Sequence, residues 1–281
     1  MTTLNAYASL LEYQNYVTAR GQTITTDATD DAVIESLLRS VSRFVDEQTG
    51  RYFFPRVETR YYDVPDGTAL DVRSLVVDGD LLEVITLVNG DGVTIASSEY
   101  TLRPRNQSPY LYIRLKDSST YYWASNSASD LHDVIAVTGI WGFHNRYSDA
   151  WELGSTLAEA LDTTETGTDV TSGTSFLIGD VIRFGDELAY VSNKLTNTLT
   201  NTRGENGSTA AAHDSGENVY IWRYMESLKA AVLETTLQSY KRRFGTSGTN
   251  VATITGAGVV LAPKDIPTVM HDFIQAYRRY S

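Results

Sequence analysis

The feature that most constrains this chain is an alternation of apolar and polar side chains between about Arg56 and Gly142. Because successive side chains of a strand point to opposite faces, a period of two over short runs predicts half-buried β-strands. The predicted strands are residues 57–64, 69–72, 81–89, 93–96, 110–115 and 133–138. Turn-forming sequences separate them, namely Pro65-Asp66-Gly67, Asp78-Gly79-Asp80 and Asn89-Gly90-Asp91-Gly92. The block therefore predicts a meander or a small sandwich.

Helical periodicity precedes this block. Ser9 and Glu12 are spaced as a capping box, which predicts the start of a first helix. A second helix is predicted from about Asp27 to just before Gly50, and its apolar residues recur at three- and four-residue spacing. These residues are Val33, Ile34, Leu37, Leu38, Val41, Phe44 and Val45. Such a stripe requires a packing partner.

Helical periodicity also returns at the end of the chain. A third helix is predicted from about Arg223 to Gly245, with the basic cluster Lys241-Arg242-Arg243 at its negative end. Residues 246–258 are rich in Gly, Ser and Thr and predict a linker or an exposed loop. A final helix is predicted to begin at Pro267, which suits a first helical position.

The segment 152–218 is unusually acidic. It holds 11 Asp and Glu against 3 Lys and Arg, a balance of 3 − 11 = −8. Short strands are predicted at residues 175–178, 181–184, 187–191 and 199–202. A compact module of this kind tolerates insertion because loop-closure entropy rises slowly with length. The predicted fold class is therefore α+β, with a helical core from the N- and C-terminal segments, a β-strand block, and an inserted small β domain. The predicted domains are 1–151 plus 223–281, and 152–222.

Composition excludes several classes of function. Lys+Arg 23 against Asp+Glu 35 gives 23 − 35 = −12, which argues against binding to nucleic-acid phosphates through a basic surface. The absence of cysteine excludes disulfide scaffolds, thiolate metal sites and a cysteine nucleophile. The 4 histidines are too scattered to suggest a metal centre built from histidine alone. We predict no metal and no cofactor. No membrane span and no leader are evident, so we expect the protein to stay in the compartment where it is made.

No residue pattern identifies a catalytic site. His132 lies between Asp130 and Asp133, and His213 precedes Asp214, but neither histidine sits in a known nucleophile or metal motif. We interpret both as surface or turn residues. The glycine-rich sequences near Gly245 and Gly256 lack the ending of a phosphate-binding loop. We therefore predict no catalytic residues and no enzyme activity.

Aromatic residues offer two interpretations. The strand block contains Tyr61, Tyr62, Tyr110, Tyr112, Tyr121, Tyr122 and Trp123. They predict either cross-strand packing, which is the commoner reason, or a ligand-stacking platform. At the chain end, Arg278-Arg279-Tyr280 follows an amphipathic helix and is either a peg for another subunit or a solvated terminus.

The order of elements resembles the head–tail connector (adaptor) family of tailed bacteriophages. The resemblance rests on ordinary residues in order over most of 1–142 and 223–281. They are the helix Asp31-Ala-Val-Ile-Glu-Ser-Leu-Leu running into Val45-Asp-Glu-Gln-Thr-Gly-Arg, the strands Leu81-Leu-Glu-Val-Ile-Thr-Leu-Val-Asn-Gly-Asp-Gly and Ser98-Glu-Tyr-Thr-Leu-Arg-Pro, then Val137-Thr-Gly-Ile-Trp-Gly, and the ending Asp265-Ile-Pro with Tyr277-Arg-Arg.

The inserted segment resembles a small β module of phage virion proteins. The similar residues are Gly179-Asp-Val-Ile-Arg-Phe-Gly-Asp-Glu, Thr202-Arg-Gly-Glu-Asn-Gly-Ser-Thr-Ala-Ala-Ala-His and Gly216-Glu-Asn-Val. This second resemblance points to the same kind of particle as the first.

The resemblance implies a structural virion protein of the neck, assembled in the host cytoplasm. It implies that the protein forms a homo-oligomeric ring, a dodecamer, under the portal protein. The ring would also offer a surface to the downstream neck or tail protein, which would be a tail terminator or stopper. DNA would pass through the channel without specific binding, and an acidic wall would repel its phosphates. The C-terminal segment from Lys264 would reach the portal, with Tyr277, Arg278, Arg279 and Tyr280 as candidate contacts.

Two other functions stay open at this point. One is a peripheral tail or baseplate protein whose β module binds host-surface glycans through its tyrosines. The other is a hydrolase that uses carboxylates of the 152–218 segment.

Overall fold

The structure is a computed structural model that describes residues 5–21, 28–68, 71–244, 253–255, 258–260 and 266–279. The chain forms two compact units. One combines Met1–Arg51 with Tyr224–Ser281, and the other is Tyr52–Arg223. We call them the helical unit and the β unit.

The predicted fold class is wrong. The described residues are mostly β, with antiparallel sheets of five and six strands and four helices, rather than a helical core with a small β insert. The physical reason is that each sheet buries a large hydrophobic cluster of its own, so the β structure is a main part of the core and not a small insert. The sequence prediction gave the helical stripes too much weight and missed several polar strands.

The helical unit contains four helices: α1 (Leu10–Ala19), α2 (Ala28–Thr49), α3 (Glu226–Phe244) and α4 (Thr268–Tyr277). The capping box at Ser9 is confirmed, because the Ser9 hydroxyl accepts from the Glu12 N–H and the Glu12 carboxylate accepts from the Ser9 N–H. Helix α2 also confirms its prediction. Four of its stripe residues, Ile34, Leu38, Val41 and Val45, are buried, and α2 packs against α3 and α4.

Two parts of the C-terminal prediction need adjustment. Pro267 is the N-cap of α4 rather than its first residue. The segment predicted as a linker contains the strand β12 (Thr253–Thr255), which pairs antiparallel with β13 (Gly258–Val260) at the end of that segment. Gly245 lies outside the described residues.

The first sheet of the β unit has five strands in the order β1-β5-β2-β4-β3. They are β1 (Arg56–Tyr62), β2 (Ser74–Val88), β3 (Tyr100–Arg103), β4 (Tyr110–Leu115) and β5 (Ile135–Trp141). Residues 71–72 and 93–96 are not strand, while 69–70 lie outside the described residues.

The predicted turn at Asp78-Gly79-Asp80 is wrong, because these residues lie inside β2. The pairing of β2 with β4 shifts register between Val76 and Leu81. A Cβ at Gly79 would lie 2.0 Å from Arg60 Nη1 and 3.1 Å from the Trp141 ring. Glycine at this position therefore serves a close approach within the sheet rather than a turn.

The second sheet has six strands in the order β6-β11-β8-β9-β10-β7. They are β6 (Trp151–Thr156), β7 (Gly167–Asp169), β8 (Val181–Phe184), β9 (Glu187–Leu195), β10 (Thr198–Thr202) and β11 (Asn218–Trp222). The predicted strand 175–178 is absent from this described segment. The first and last strands, β6 and β11, are neighbours, so the segment begins and ends side by side. The predicted domain boundary at 152 stays a prediction, and both sheets fall within the one compact unit Tyr52–Arg223.

Adjacent residues of α4 provide a test of how firmly this helix is held. Met270 is fully buried, whereas Val269 is exposed. We expect Met270→Ala to lower the free energy of unfolding by about 2–5 kcal/mol, because it leaves a cavity, and Val269→Ala to change it by about 0.5 kcal/mol or less. Denaturant titration of both variants measures this. Equal losses would show that α4 is not packed as described.

Candidate functional site

The C-terminal residues 277–279, which we call the C-terminal arm, are fixed to the end of α2. Arg51 Nε donates a hydrogen bond of 2.8 Å to the Tyr277 carbonyl oxygen. The Arg279 N–H donates one of 2.8 Å to the carbonyl oxygen of Thr49, the last residue of α2. These two bonds set the direction in which the chain leaves α4.

The arm exposes two cationic side chains. Arg278 and Arg279 are exposed, and the half-buried Tyr277 ring packs against Phe273 with centroids 4.7 Å apart. Tyr280, the fourth predicted contact residue, lies outside the described residues. A guanidinium carries five donors in a planar fork that matches carboxylates. An arm with an anchored backbone and exposed guanidiniums is therefore suited to binding an acidic protein surface.

The second candidate is a buried ionic cluster in the six-stranded sheet, which we call the Glu187 network. Glu187 is 2% exposed. Arg203 donates a hydrogen bond to each of its carboxylate oxygens, from Nε at 2.5 Å and from Nη2 at 2.7 Å. His213 Nε2 lies 3.0 Å from Glu187, and its Nδ1 lies 3.1 Å from Glu217. The N–H of Ala211 also donates to Glu187, at 2.8 Å.

The Glu187 network is built for structure. Burial alone would raise the pKa of Glu187, but hydrogen bonds from Arg203, the Ala211 N–H and His213 outweigh it and lower that pKa. Arg203 also donates to the carbonyl oxygens of Asp162 and Ala211. Because its acceptor positions are filled by residues of the loop 203–213, the Glu187 carboxylate holds that loop in place and is not available to act as a general base. The predicted surface or turn position of His213 is wrong, because its side chain is buried.

A second ionic contact joins the two sheets of the β unit. Arg183 of β8 donates to both oxygens of Glu83 in β2, at 2.8 and 3.0 Å. The Tyr147 hydroxyl donates to Glu83 at 2.5 Å, and Trp151 Nε1 donates to that hydroxyl at 3.2 Å. Burial would raise the pKa of Glu83, but the bonds from Arg183 and Tyr147 lower it overall. This bidentate pair fixes one sheet against the other.

His132 and His144 occupy contrasting positions. His132 is exposed, and its Nδ1 lies 3.1 Å from Asp63, whose carboxylate raises the pKa of His132. His144 is buried, its Nδ1 accepts from the Arg146 N–H at 3.1 Å, and its ring lies 5.6 Å from that of Trp222. Burial lowers the pKa of His144. Neither arrangement supplies a nucleophile.

The aromatic residues of the strand block divide between the core and the surface, where Tyr61 and Tyr122 are 61% and 66% exposed. Trp123 belongs to the core of the five-stranded sheet, and Tyr62, Tyr110 and Tyr121 pack against that core. In the 152–222 segment, which holds the tyrosines that the glycan hypothesis needs, Tyr190 is buried. Packing accounts for the buried and half-buried side chains.

The described residues include neither a candidate membrane span nor a candidate metal site. Within those ranges, no helix combines the length and apolar character needed to cross a membrane. Likewise, no group of three or more His, Asp or Glu side chains in the described part of the chain is placed to hold a metal ion.

The Glu187 network predicts a large cost for removing one charge. Glu187→Gln should lower the free energy of unfolding by about 3–5 kcal/mol, because the buried Arg203 guanidinium loses its ionic partner. The neighbouring Asp186→Asn should cost at most about 1 kcal/mol, since Asp186 is exposed and pairs with Arg183 at 3.2 Å. Chemical denaturation compares the two. A cost for Glu187→Gln no greater than that of the control would contradict the network's role.

His144 predicts an acid-sensitive stability. The ordinary pKa of histidine is 6.5, and the folded pKa of His144 is lower. As the pH falls below 6.5, the unfolded chain therefore gains a proton at His144 before the folded chain does. The contribution of His144 to the free energy of unfolding is thus fully present above pH 6.5 and declines below it. His144→Gln should flatten the loss of stability that occurs as the pH falls below 6.5. Thermal melts at a series of pH values on both sides of 6.5 measure it, with the exposed His271→Gln as control. An unchanged slope in His144→Gln would contradict the prediction.

Comparison of the chain with protein-family models gives no match, and comparison with curated proteins gives no significant match.

Proposed function

We propose that this protein is a structural virion protein, a head–tail adaptor that forms a ring under the portal of a tailed bacteriophage. The observation that carries the proposal is the C-terminal arm. Its backbone is fixed by Arg51 and Thr49, while Arg278 and Arg279 reach solvent at the position where the resembling family contacts the portal. The order of sequence elements supports the same assignment.

The arm acts as an anchor on the portal in this proposal. Interface contacts are strongest where arginine and aromatic side chains meet a partner with matching carboxylates and pockets. Arg51 and Thr49 limit the conformations that the arm backbone can adopt, so less entropy is lost on docking. Tyr277, Arg278, Arg279 and Tyr280 are the proposed contact residues.

The ring has further partners in this proposal. Twelve copies match a dodecameric portal, extend its channel, and offer a surface to the downstream terminator or stopper protein. DNA passes through the channel without specific binding, because a net charge of −12 per subunit repels phosphate. The role is mechanical and needs no cofactor.

A charge reversal on the arm tests this function. We expect the parent chain to form a ring that binds purified portal, and the double variant Arg278→Glu with Arg279→Glu to keep the ring but lose portal binding at least about tenfold. The control is Lys241→Glu with Arg242→Glu, which reverses two exposed charges of α3. Native mass spectrometry measures ring size, and co-sedimentation measures portal binding.

Two outcomes would contradict the proposal. A strict monomer that never joins the portal would exclude the adaptor role, and equal portal binding by both double variants would exclude the arm as anchor. Substitution is preferable to deleting residues 267–281, because Met270, Phe273 and Ile274 are buried in the helical unit. Their loss would remove packing from the helical unit, so a loss of portal binding could result from unfolding rather than from the missing contacts.

A further inference from the structure

Strand β1 is an edge of the five-stranded sheet with outward backbone groups. It pairs with β5 on one side only, in continuous register from Arg56 to Tyr62. The Val57 N–H points away from β5, since it donates to the Asn206 carbonyl oxygen at 2.9 Å. Because backbone direction alternates along a strand, the N–H and C=O groups of Thr59 and Tyr61 also point outward. No described backbone group from outside the sheet hydrogen-bonds to these outward groups.

Only the start of this edge is covered. Gly207 approaches so closely that a Cβ there would lie 2.3 Å from the Val57 carbonyl oxygen. The loop of Asn206 and Gly207 therefore covers Val57 and leaves Thr59 and Tyr61 open. An exposed edge of this kind is a template for pairing with another chain.

A pocket of about 640 Å³ adjoins the same strand, and Tyr61 belongs to both. Three of its lining side chains are apolar and exposed: Tyr61 at 61%, Leu131 at 50% and Val76 at 47%. Large apolar side chains gathered at one exposed depression are typical of binding surfaces.

The pocket also has a one-sided charge. Four aspartates line it, Asp63, Asp66, Asp71 and Asp133, and none of the described lining residues is lysine or arginine. Two of them already have cationic or titratable partners, since Asp71 pairs with Arg114 at 3.2 Å and Asp63 lies 3.1 Å from His132. The negative charge that faces the pocket therefore rests mainly on Asp66 and Asp133. Asp63 accepts a hydrogen bond from the Asp133 N–H and Asp66 accepts one from the Thr68 N–H, which fixes both carboxylates in place. This charge favours a cation, and the exposed Tyr61 ring provides a face on which a guanidinium can stack.

We propose that β1 and this pocket form a docking site for an extended segment of a partner protein that carries an arginine. The segment adds a strand beside Thr59 and Tyr61, and its arginine enters the aspartate-lined pocket. Main-chain hydrogen bonds supply affinity in this mode of recognition, and the side-chain pocket supplies specificity. The site shares no residue with the C-terminal arm, and the proposal does not depend on the head–tail assignment.

A pair of labelled heptapeptides tests the proposal on the full chain by fluorescence anisotropy. One has the sequence Thr-Val-Thr-Arg-Thr-Val-Thr, and the other has Glu in place of Arg. We expect the arginine peptide to bind with a Kd below about 1 mM, the glutamate peptide to bind at least about tenfold more weakly, and added salt to weaken the binding. No saturable binding of the arginine peptide by about 1 mM, or equal binding of both, would overturn the proposal.

Three variants separate the edge from the pocket. Thr59→Pro removes an outward N–H, which an edge strand tolerates, and should abolish peptide binding. Asp133→Asn and Tyr61→Ala should each weaken binding about fivefold or more. Glu159→Gln, an exposed acid outside the pocket, should bind like the parent chain. Circular dichroism verifies folding, and Asp133→Asn remains informative if Thr59→Pro fails to fold. Parent-like binding by folded Thr59→Pro or by Asp133→Asn would overturn the proposal.

Discussion

The buried Glu187 carboxylate is the constraint on which much of the β unit depends. Taking a carboxylate out of water costs several kcal/mol, and Arg203, His213 and backbone N–H groups offset that cost by converging on it. These partners lie at the two ends and within the loop 203–213, so one ion holds the whole loop on the sheet. The same loop places Asn206 against Val57. A single buried charge thus determines how much of the β1 edge is covered.

Local signals in the sequence were sufficient for the helices. The Ser9–Glu12 capping box and the apolar stripe of α2 are interactions between residues three or four positions apart, so a single segment contains the whole pattern. Gly79 shows the opposite case. Its neighbours suggested a turn, but its role is set by Arg60 and Trp141, which are distant in sequence. Strands β6 and β7 were missed because Gly, Ser, Thr and Glu dominate them and leave little apolar alternation.

The candidate sites divide in the same way. Residue type and position were enough to name Arg278 and Arg279 as candidate contact residues. The hydrogen bonds that hold Tyr277 to Arg51 and Arg279 to Thr49 could not be predicted, because they join segments more than two hundred residues apart. The resemblance to a virion module named Glu187, Arg203 and His213 without giving them a chemical role. Convergence of a carboxylate, a guanidinium and an imidazole at hydrogen-bond distance is a property of three dimensions. Sequence spacing alone left His213 as a surface or turn residue.

The acidity of the 152–218 segment also has a different meaning in the structure. Its three basic residues all serve internal bonds: Arg183 binds Glu83, Arg203 binds Glu187, and Lys194 donates to the carbonyl oxygens of Gly173 and Phe176. Because these cations are committed to internal partners, they add little attraction for an approaching polyanion. Exposed carboxylates such as Glu159 and Asp214 then dominate the outward field of this segment. A segment with this charge distribution repels an approaching phosphate rather than binding it.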